Sequence, residues 1–291
     1  MQPNPNPDSL PSKEALISLV DDESISVRGE LRRLFRSHLN EAESFLREYG
    51  GSDNQSHQRV AQQWMSELGI EDHVLRFRAL IDSFQFELET GLIMLCRTVN
   101  PKISTTEICE FLDLLAKRYY ELAVHPASDL ERCRLLNRVL FHEYGFRGDV
   151  ENFYDPQNSL INRVLDRRKG IPLTLSVIYL LVAQRVGLEL EPVGAPGRFL
   201  VGCFTGDDIF FIDPFERGLM RTRDDLLINL LKPQGITDER VLNPCPVGEV
   251  LFRCCRNLAH QYQLSGDFEK QALFDSFIKN FNEAYERETL E

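Results

Sequence analysis

Side chains able to act as nucleophiles, bases or metal ligands are plentiful in this chain but poorly matched in spacing. Seven cysteines (96, 109, 133, 203, 245, 254 and 255) and six histidines are scattered through 291 residues. A structural zinc site or a thiol redox centre needs its ligands in pairs a few residues apart. No such pair occurs: Cys254 and Cys255 are adjacent, and the other cysteines stand alone. No metal and no cofactor is therefore expected. An odd number of cysteines, most of them inside apolar helical runs, predicts reduced thiols in a cytoplasmic protein. His38, His57, His73 and His125 have no partner at catalytic spacing and read as packing or surface residues. His142, near a predicted helix end, reads as a cation answering local carbonyls.

The stretch best able to position chemistry runs from Asn158 to Phe215. Pro172 follows a Gly-Ile pair and suits the first turn of a helix, where its missing N–H needs no partner. The helix it opens, Leu173 to Val186, is apolar nearly all round (Leu175, Val177, Ile178, Leu180, Leu181, Val182) and stops at Gly187, as a buried helix would. Three β-strands are predicted after it, at Leu188–Val193, Phe199–Phe204 and Ile209–Ile212, separated by Gly/Pro and Gly-Asp-Asp turns. A core helix followed by an antiparallel meander makes the fold class α+β, mostly helical, with a buried helix on a small antiparallel sheet.

Helical hairpins are expected at both ends. Residues 1–11 read as a disordered tail without a signal peptide's basic start and apolar core. Residues 12–55 read as an N-terminal helical hairpin resembling a single HEAT-like unit, with a helix KEALISLV, a turn at Asp21-Asp22 and a longer amphipathic helix. Residues 56–240 then hold the main domain with its preceding helices. One of these carries Phe77, Leu80, Ile81, Phe84, Leu88, Leu92 and Leu95 at helical spacing and is stopped by Asn100-Pro101. Residues 241–291 read as a C-terminal hairpin resembling a TPR unit, packed on the domain rather than forming a groove of its own. The formal net charge of −12 argues against nucleic acid or an anionic membrane as partner, and no run is long enough to span a bilayer. The local exception, Arg163, Arg167, Arg168 and Lys169, sits at a predicted helix C-terminus, where cations are favoured.

Three motifs appear in order: Arg168-Lys169-Gly170-Ile171-Pro172, Pro196-Gly197-Arg198-Phe199-Leu200-Val201, and Ile212-Asp213-Pro214-Phe215. Together with the upstream run LLNRVLFHEYGFRGDVENFYDPQNS, they resemble the SirB-type family, which carries a transglutaminase-like domain followed by TPR-like helices. In transglutaminase-like enzymes a Cys opens the central helix, a His on the next strand takes its proton, and an Asp or Asn on the following strand orients that His. The design is physically sensible, because a helix N-terminus and an adjacent imidazole both favour the thiolate.

Carried onto this sequence, the nucleophile position falls at about Pro172 and the His position on Arg198; only the third member survives, as Asp213. No cysteine lies between Arg134 and Gly202. Thr174 is turned about 200° around the helix from Pro172, and Ser176 lies about 6 Å further along its axis, so neither replaces a thiol simply. A guanidinium stays protonated and cannot act as general base. Thr174, Ser176, Asn158 and His142 are the remaining polar candidates around the cleft. Arg198 and Asp213, on adjacent strands, are expected to form a charge-assisted pair, with spare Arg198 donors facing the cleft. The resulting expectation is a non-catalytic transglutaminase-like protein with a protein partner, acting as an interaction or regulatory module. Two alternatives stand beside it: an acyl-transfer or peptidase-type enzyme with a relocated nucleophile, Cys203 being the candidate, and a binder of small anions at Arg198.

Overall fold

The computed structural model describes residues 10–22, 24–51, 54–124, 126–205 and 209–290. His125, most of the expected tail at 1–11, Ser52-Asp53 of the first connection and the Gly206-Asp207-Asp208 turn lie outside the described residues. The chain forms two compact units, Met1–Asp72 and His73–Glu291.

In the first unit, α1 (Lys13–Val20), α2 (Ile25–Ser37), α3 (Leu39–Gly50) and α4 (Gln55–Leu68) surround Trp64. Its indole N–H donates to the Val20 carbonyl at 3.0 Å, which satisfies the one polar atom of a fully buried ring. Phe35 meets the ring edge-on at 5.3 Å between centroids, and the Arg28 guanidinium lies 4.7 Å from the ring centroid. The long helix expected after Asp21-Asp22 is in fact two, because the backbone leaves the α region at His38 (φ −126°, ψ 49°). The Ser37 hydroxyl donates back to the Arg33 carbonyl at 3.2 Å just before that break, a bond that bends helices. Residues 56–68, grouped by sequence with the following domain, supply Trp64 to this first core instead.

The second unit begins with α5 (His73–Ser83) and α6 (Leu88–Val99). The apolar stripe from Phe77 to Leu95 predicted one helix here. Phe84 instead takes a left-handed φ of 53°, and the Glu87 carboxylate caps the restarted helix by accepting from the Glu89 and Thr90 N–H groups at 3.0 and 2.7 Å. Phe84 and Phe86 leave the helical path to pack against Tyr285 and Phe281. Next come α7 (Thr105–Leu122) and α8 (Asp129–Asn137), the latter continuing as a π-helical turn over Arg138–Glu143.

Two short strands, β1 (Arg147–Gly148) and β2 (Lys169–Gly170), pair in parallel and flank α9 (Ile161–Arg167). The central helix α10 (Pro172–Arg185) is buried at every residue from Leu173 to Ala183. An antiparallel sheet follows in the order β3 (Glu191–Val193), β4 (Leu200–Cys203), β5 (Phe210–Asp213) and β6 (Leu219–Thr222). The three strands expected are present, the first two with trimmed ends and the third shifted by one residue, and β6 is an addition. Val201 stands opposite Ile212, and both join Phe199 in the large core around α10. Leu200 and Phe211 point the other way, into a small cluster with Leu226, Leu231 and Leu242. That alternation is the period-two pattern of a sheet covered on both faces. The second cover is the segment after β6, which begins with α11 (Arg223–Leu226).

The C-terminal hairpin, α12 (Val247–Ser265) and α13 (Phe268–Leu290), is part of the same core. Leu251, Cys254, Cys255 and Leu258 of α12 and Phe274, Phe277 and Phe281 of α13 are buried in the cluster that holds α10. The architecture is a mostly helical α+β fold. Among the described residues, no helix is long and apolar enough to cross a membrane.

The β5–β6 connection turns at Arg217 and Gly218, both with positive φ (52° and 78°), and Leu219 N–H donates to the Glu216 carbonyl at 3.2 Å. Two successive positive φ values under this bond are the mark of a type I′ β-turn, here closing the longer loop between the paired Asp213 and Leu219. A Cβ on Gly218 would also lie 2.4 Å from the Asn137 carboxamide carbon. Gly218→Ala is expected to lower stability by at least ~1–2 kcal/mol, the left-handed cost alone. Urea denaturation checks this, and an unchanged midpoint would contradict the turn assignment.

Candidate functional site

The start of α10 is fixed by the loop in front of it. Gly148 stands opposite Gly170, and the Asp149 N–H donates to the Gly170 carbonyl at 3.1 Å. A Cβ on Gly170 would fall 2.9 Å from Val164, so only glycine lets α9 and the α10 entry approach this closely. Asp149 is buried and is held by Arg167 at 3.2 Å. Arg167 also reaches Asp155 at 3.2 Å, while Arg168 stacks over Phe111 at 4.1 Å. The basic run from 163 to 169 thus fastens its own loop. Asn158, fully buried, donates from Nδ2 to the Asn152 carbonyl at 2.7 Å, and its own carbonyl accepts from the Ile171 N–H at 3.4 Å. Asn158 therefore braces the residue that precedes Pro172.

Pro172 occupies the first position of α10, and the N-cap residue, Ile171, offers no side-chain acceptor. The positive end of the helix dipole is consequently uncapped by any side chain. Behind the opening, the Ser176 hydroxyl donates to the Phe199 carbonyl at 3.0 Å, tying α10 to the residue before β4. Thr174 is buried, and its hydroxyl has no hydrogen-bond partner among the described residues.

Arg198 lies just ahead of β4 and Asp213 ends β5. Their side chains are joined by a short Nη1–Oδ2 contact, and the same nitrogen reaches Glu216 at 3.3 Å. The Asp213 side chain is 1% exposed, whereas that of Arg198 is 33% exposed. The other Asp213 oxygen accepts from the Glu216 N–H at 3.2 Å. Burial opposes the positive charge on Arg198, but Asp213 and Glu216 outweigh it and raise its pKa above the ordinary arginine value. Arg198 is thus a permanent cation. Its Nε–H and Nη2 donors meet no protein acceptor among the described residues.

Pro172 and Arg198 line one cavity of about 470 Å³. Its other polar walls come from α12, through Arg253, Arg256, Asn257 and His260. Aromatic walls come from Phe153, Tyr154 and Phe199. Arg253, Arg256 and His260 recur at i, i+3 and i+7, the spacing of one helix face. That spacing is visible in the sequence, but without the fold nothing ties the α12 face to Pro172. The remaining sequence candidates lie elsewhere. His142 is exposed on the π-helical turn and lines a different hollow with Asn137, Glu216 and Gly218. Cys203 is fully buried, with its sulfur 3.3 Å from the Thr205 hydroxyl, and does not line the cavity. Among the described residues, no three His, Cys, Asp or Glu side chains are grouped as a metal site requires.

The sequence pattern of the transglutaminase-like superfamily matches residues 106–256, which takes in α10, the sheet and the cavity-lining part of α12 as far as Arg256. A UPF0162 protein of Xylella fastidiosa is 30% identical over 204 residues, covering 67% of this chain and 71% of that one. A UPF0162 protein of Vibrio cholerae is 29% identical over 174 residues, covering 57% and 64%. F-box only protein 21 of Mus musculus is 38% identical over 95 residues, which are 30% of this chain and 15% of that one. No solved structure matches the chain.

The pairing of a buried carboxylate with a half-exposed guanidinium has an asymmetric consequence. Arg198→Gln strands the Asp213 charge away from water, while Asp213→Asn leaves an arginine that solvent can still reach. The first is expected to cost ~1–3 kcal/mol and the second less, and the double variant less than their sum. Equilibrium unfolding of the four proteins measures the coupling, and additive effects would show that the two side chains do not depend on each other.

Proposed function

The chain belongs to the transglutaminase-like superfamily, and from that premise we propose that it is a non-catalytic member acting as an interaction or regulatory module. The observation that carries this reading is the occupancy of the cleft. The position that opens the central helix is Pro172, which has no nucleophilic atom. The position before the next strand is Arg198, a permanent cation that cannot accept a proton. The orienting carboxylate, Asp213, persists but is engaged by Arg198 rather than by an imidazole. Without nucleophile and base, the first step of acyl transfer has no agent, whereas the recess itself is intact. The α12–α13 hairpin serves this reading by walling the cleft.

A relocated nucleophile is the competing reading, and Cys203 is its candidate. The Cys203 thiol is fully buried in β4 and does not line the cleft. A thiol with so little access to the cleft has no route to an acyl donor. Under the non-catalytic reading, native Cys203 reacts with iodoacetamide at neutral pH no faster than after protection by global folding permits, and transfer of a glutamine acyl group to a fluorescent amine stays at the no-protein background. Rapid Cys203 labelling together with amine incorporation would instead establish an enzyme. Affinity capture from the source cells with wild type and Arg198→Gln in parallel addresses the interaction role: a partner held by the first and lost with the second is expected, and equal capture by both would remove the cleft from that role.

A further inference from the structure

The walls of the cleft carry more information than the loss of chemistry. Three arginines from two separate elements, Arg198 before β4 and Arg253 and Arg256 on α12, line a single cavity whose walls contain no Asp or Glu. The chain as a whole carries a net charge of −12, so three cations converging without a carboxylate run against its composition. Carboxylates are present nearby, but outside the cavity wall. Asp213 and Glu216 take one nitrogen of Arg198, and Glu249 takes the Nε–H of Arg253 at 2.8 Å. These contacts fix the guanidinium groups while leaving Nε–H and Nη2 of Arg198 and the two terminal nitrogens of Arg253 without an acceptor among the described residues. Arg256 is exposed and has no ion pair among the described residues.

Backbone geometry makes room for this arrangement. A Cβ on Gly194 would lie 2.7 Å from the Arg253 guanidinium carbon and 2.8 and 2.9 Å from its terminal nitrogens. Any larger residue there would displace the group. The start of α10, without a side-chain cap, adds its positive end to the same wall through Pro172 and Leu173. Aromatic surfaces line the same cavity, with Phe153 and Tyr154 36% and 56% exposed and Tyr154 set edge-on against His260 of α12 at 5.6 Å between centroids. Exposed aromatic rings beside fixed forked donors are the elements of a site for a molecule with one anionic end and one apolar part. A volume of about 470 Å³ exceeds what an inorganic anion would fill and lies in the range of small-ligand pockets.

We propose that this cavity binds an organic anion, a carboxylate or phosphate carried on an aromatic or aliphatic body, with Arg198, Arg253 and Arg256 holding the charged group and Phe153 and Tyr154 covering the body. The inference rests on the non-catalytic reading in one respect: the ligand leaves the site unchanged. A peptide C-terminus and a free metabolite both offer this chemistry, and the probes separate them.

The test uses the full chain in calorimetric titrations at low and moderate salt. N-acetyl-phenylalanine stands in for a peptide C-terminus, phenyl phosphate for a metabolite, N-acetyl-phenylalaninamide for the same body without charge, and inorganic phosphate for an anion without a body. At least one charged aromatic probe is expected to bind ten times or more tighter than both the neutral amide and inorganic phosphate. Arg256→Gln, which removes an exposed side chain without an ion pair and so leaves folding intact by circular dichroism, is expected to weaken that binding about fivefold or more. Gly194→Ala is expected to weaken it as well. Absence of binding by either charged aromatic probe at millimolar concentration overturns the proposal, as does amide binding equal to acid, binding of inorganic phosphate alone, or an unchanged affinity in Arg256→Gln. Recovery of the probe by NMR keeps the two readings separate: a probe that binds and is consumed defeats the non-catalytic reading while the anion site stands.

Discussion

A carboxylate with 1% of its surface in water organises the cleft. Ionised and unpaired, Asp213 would carry a large desolvation penalty, so its place at the end of β5 depends on the guanidinium of Arg198. The pair does more than cancel a charge. It fixes the residue ahead of β4 to the end of β5, and the same aspartate receives the Glu216 N–H through a side-chain oxygen and the Gly218 N–H through its carbonyl. The β5–β6 turn, the strand ends and the direction of Arg198 are therefore set by one residue. An imidazole at 198 would offer fewer donors and a charge that titrates near neutral pH, so the present arrangement gives up a proton acceptor for a fixed cation.

The helices after the sheet matter because of where that cation points. Arg198 faces α12, a helix whose other side is buried in the core around α10. The C-terminal hairpin therefore forms one wall of the cleft. The Ser159 hydroxyl donating to Gln261 at 2.7 Å ties α12 to the loop that leads into α9, so the two walls are fastened below the opening. The cavity, the helix start and the arginines behave as one unit for this reason. A change at Gly194 or Asn158, neither of which supplies the charge, would be felt at the site through the groups it positions.

Much of this was legible in the sequence where local rules and tertiary packing agree. Pro172 opening an apolar helix and alternation along β4 and β5 follow from periodicity and backbone chemistry, while the pairing of Arg198 with Asp213 was legible only through the family resemblance that singled out those two positions. The misses are of two kinds. Helix breaks at His38 and at Phe84–Glu87 were hidden because the apolar period continues across them, and only a capping carboxylate or a back-bonding serine marks the interruption. The strand Leu219–Thr222 has no fully buried residue to mark it in the sequence, and it is fixed by pairing with its neighbour β5. The second kind is the α12 face. Arg253, Arg256 and His260 have helical spacing, but charged residues at that spacing ordinarily meet solvent. That they meet Pro172 depends on contacts between segments about 80 residues apart in sequence, which no local pattern encodes.

The proposal is of a cleft that binds a ligand and performs no acyl transfer. Intact-mass spectrometry of the full chain after incubation with an activated acyl thioester, followed by peptide mapping, tests it most directly. No acyl adduct is predicted on any residue of the cleft wall or on Cys203, with only slow modification of accessible thiols and amines. A stoichiometric adduct that forms rapidly on one side chain and is discharged by added amine would contradict it.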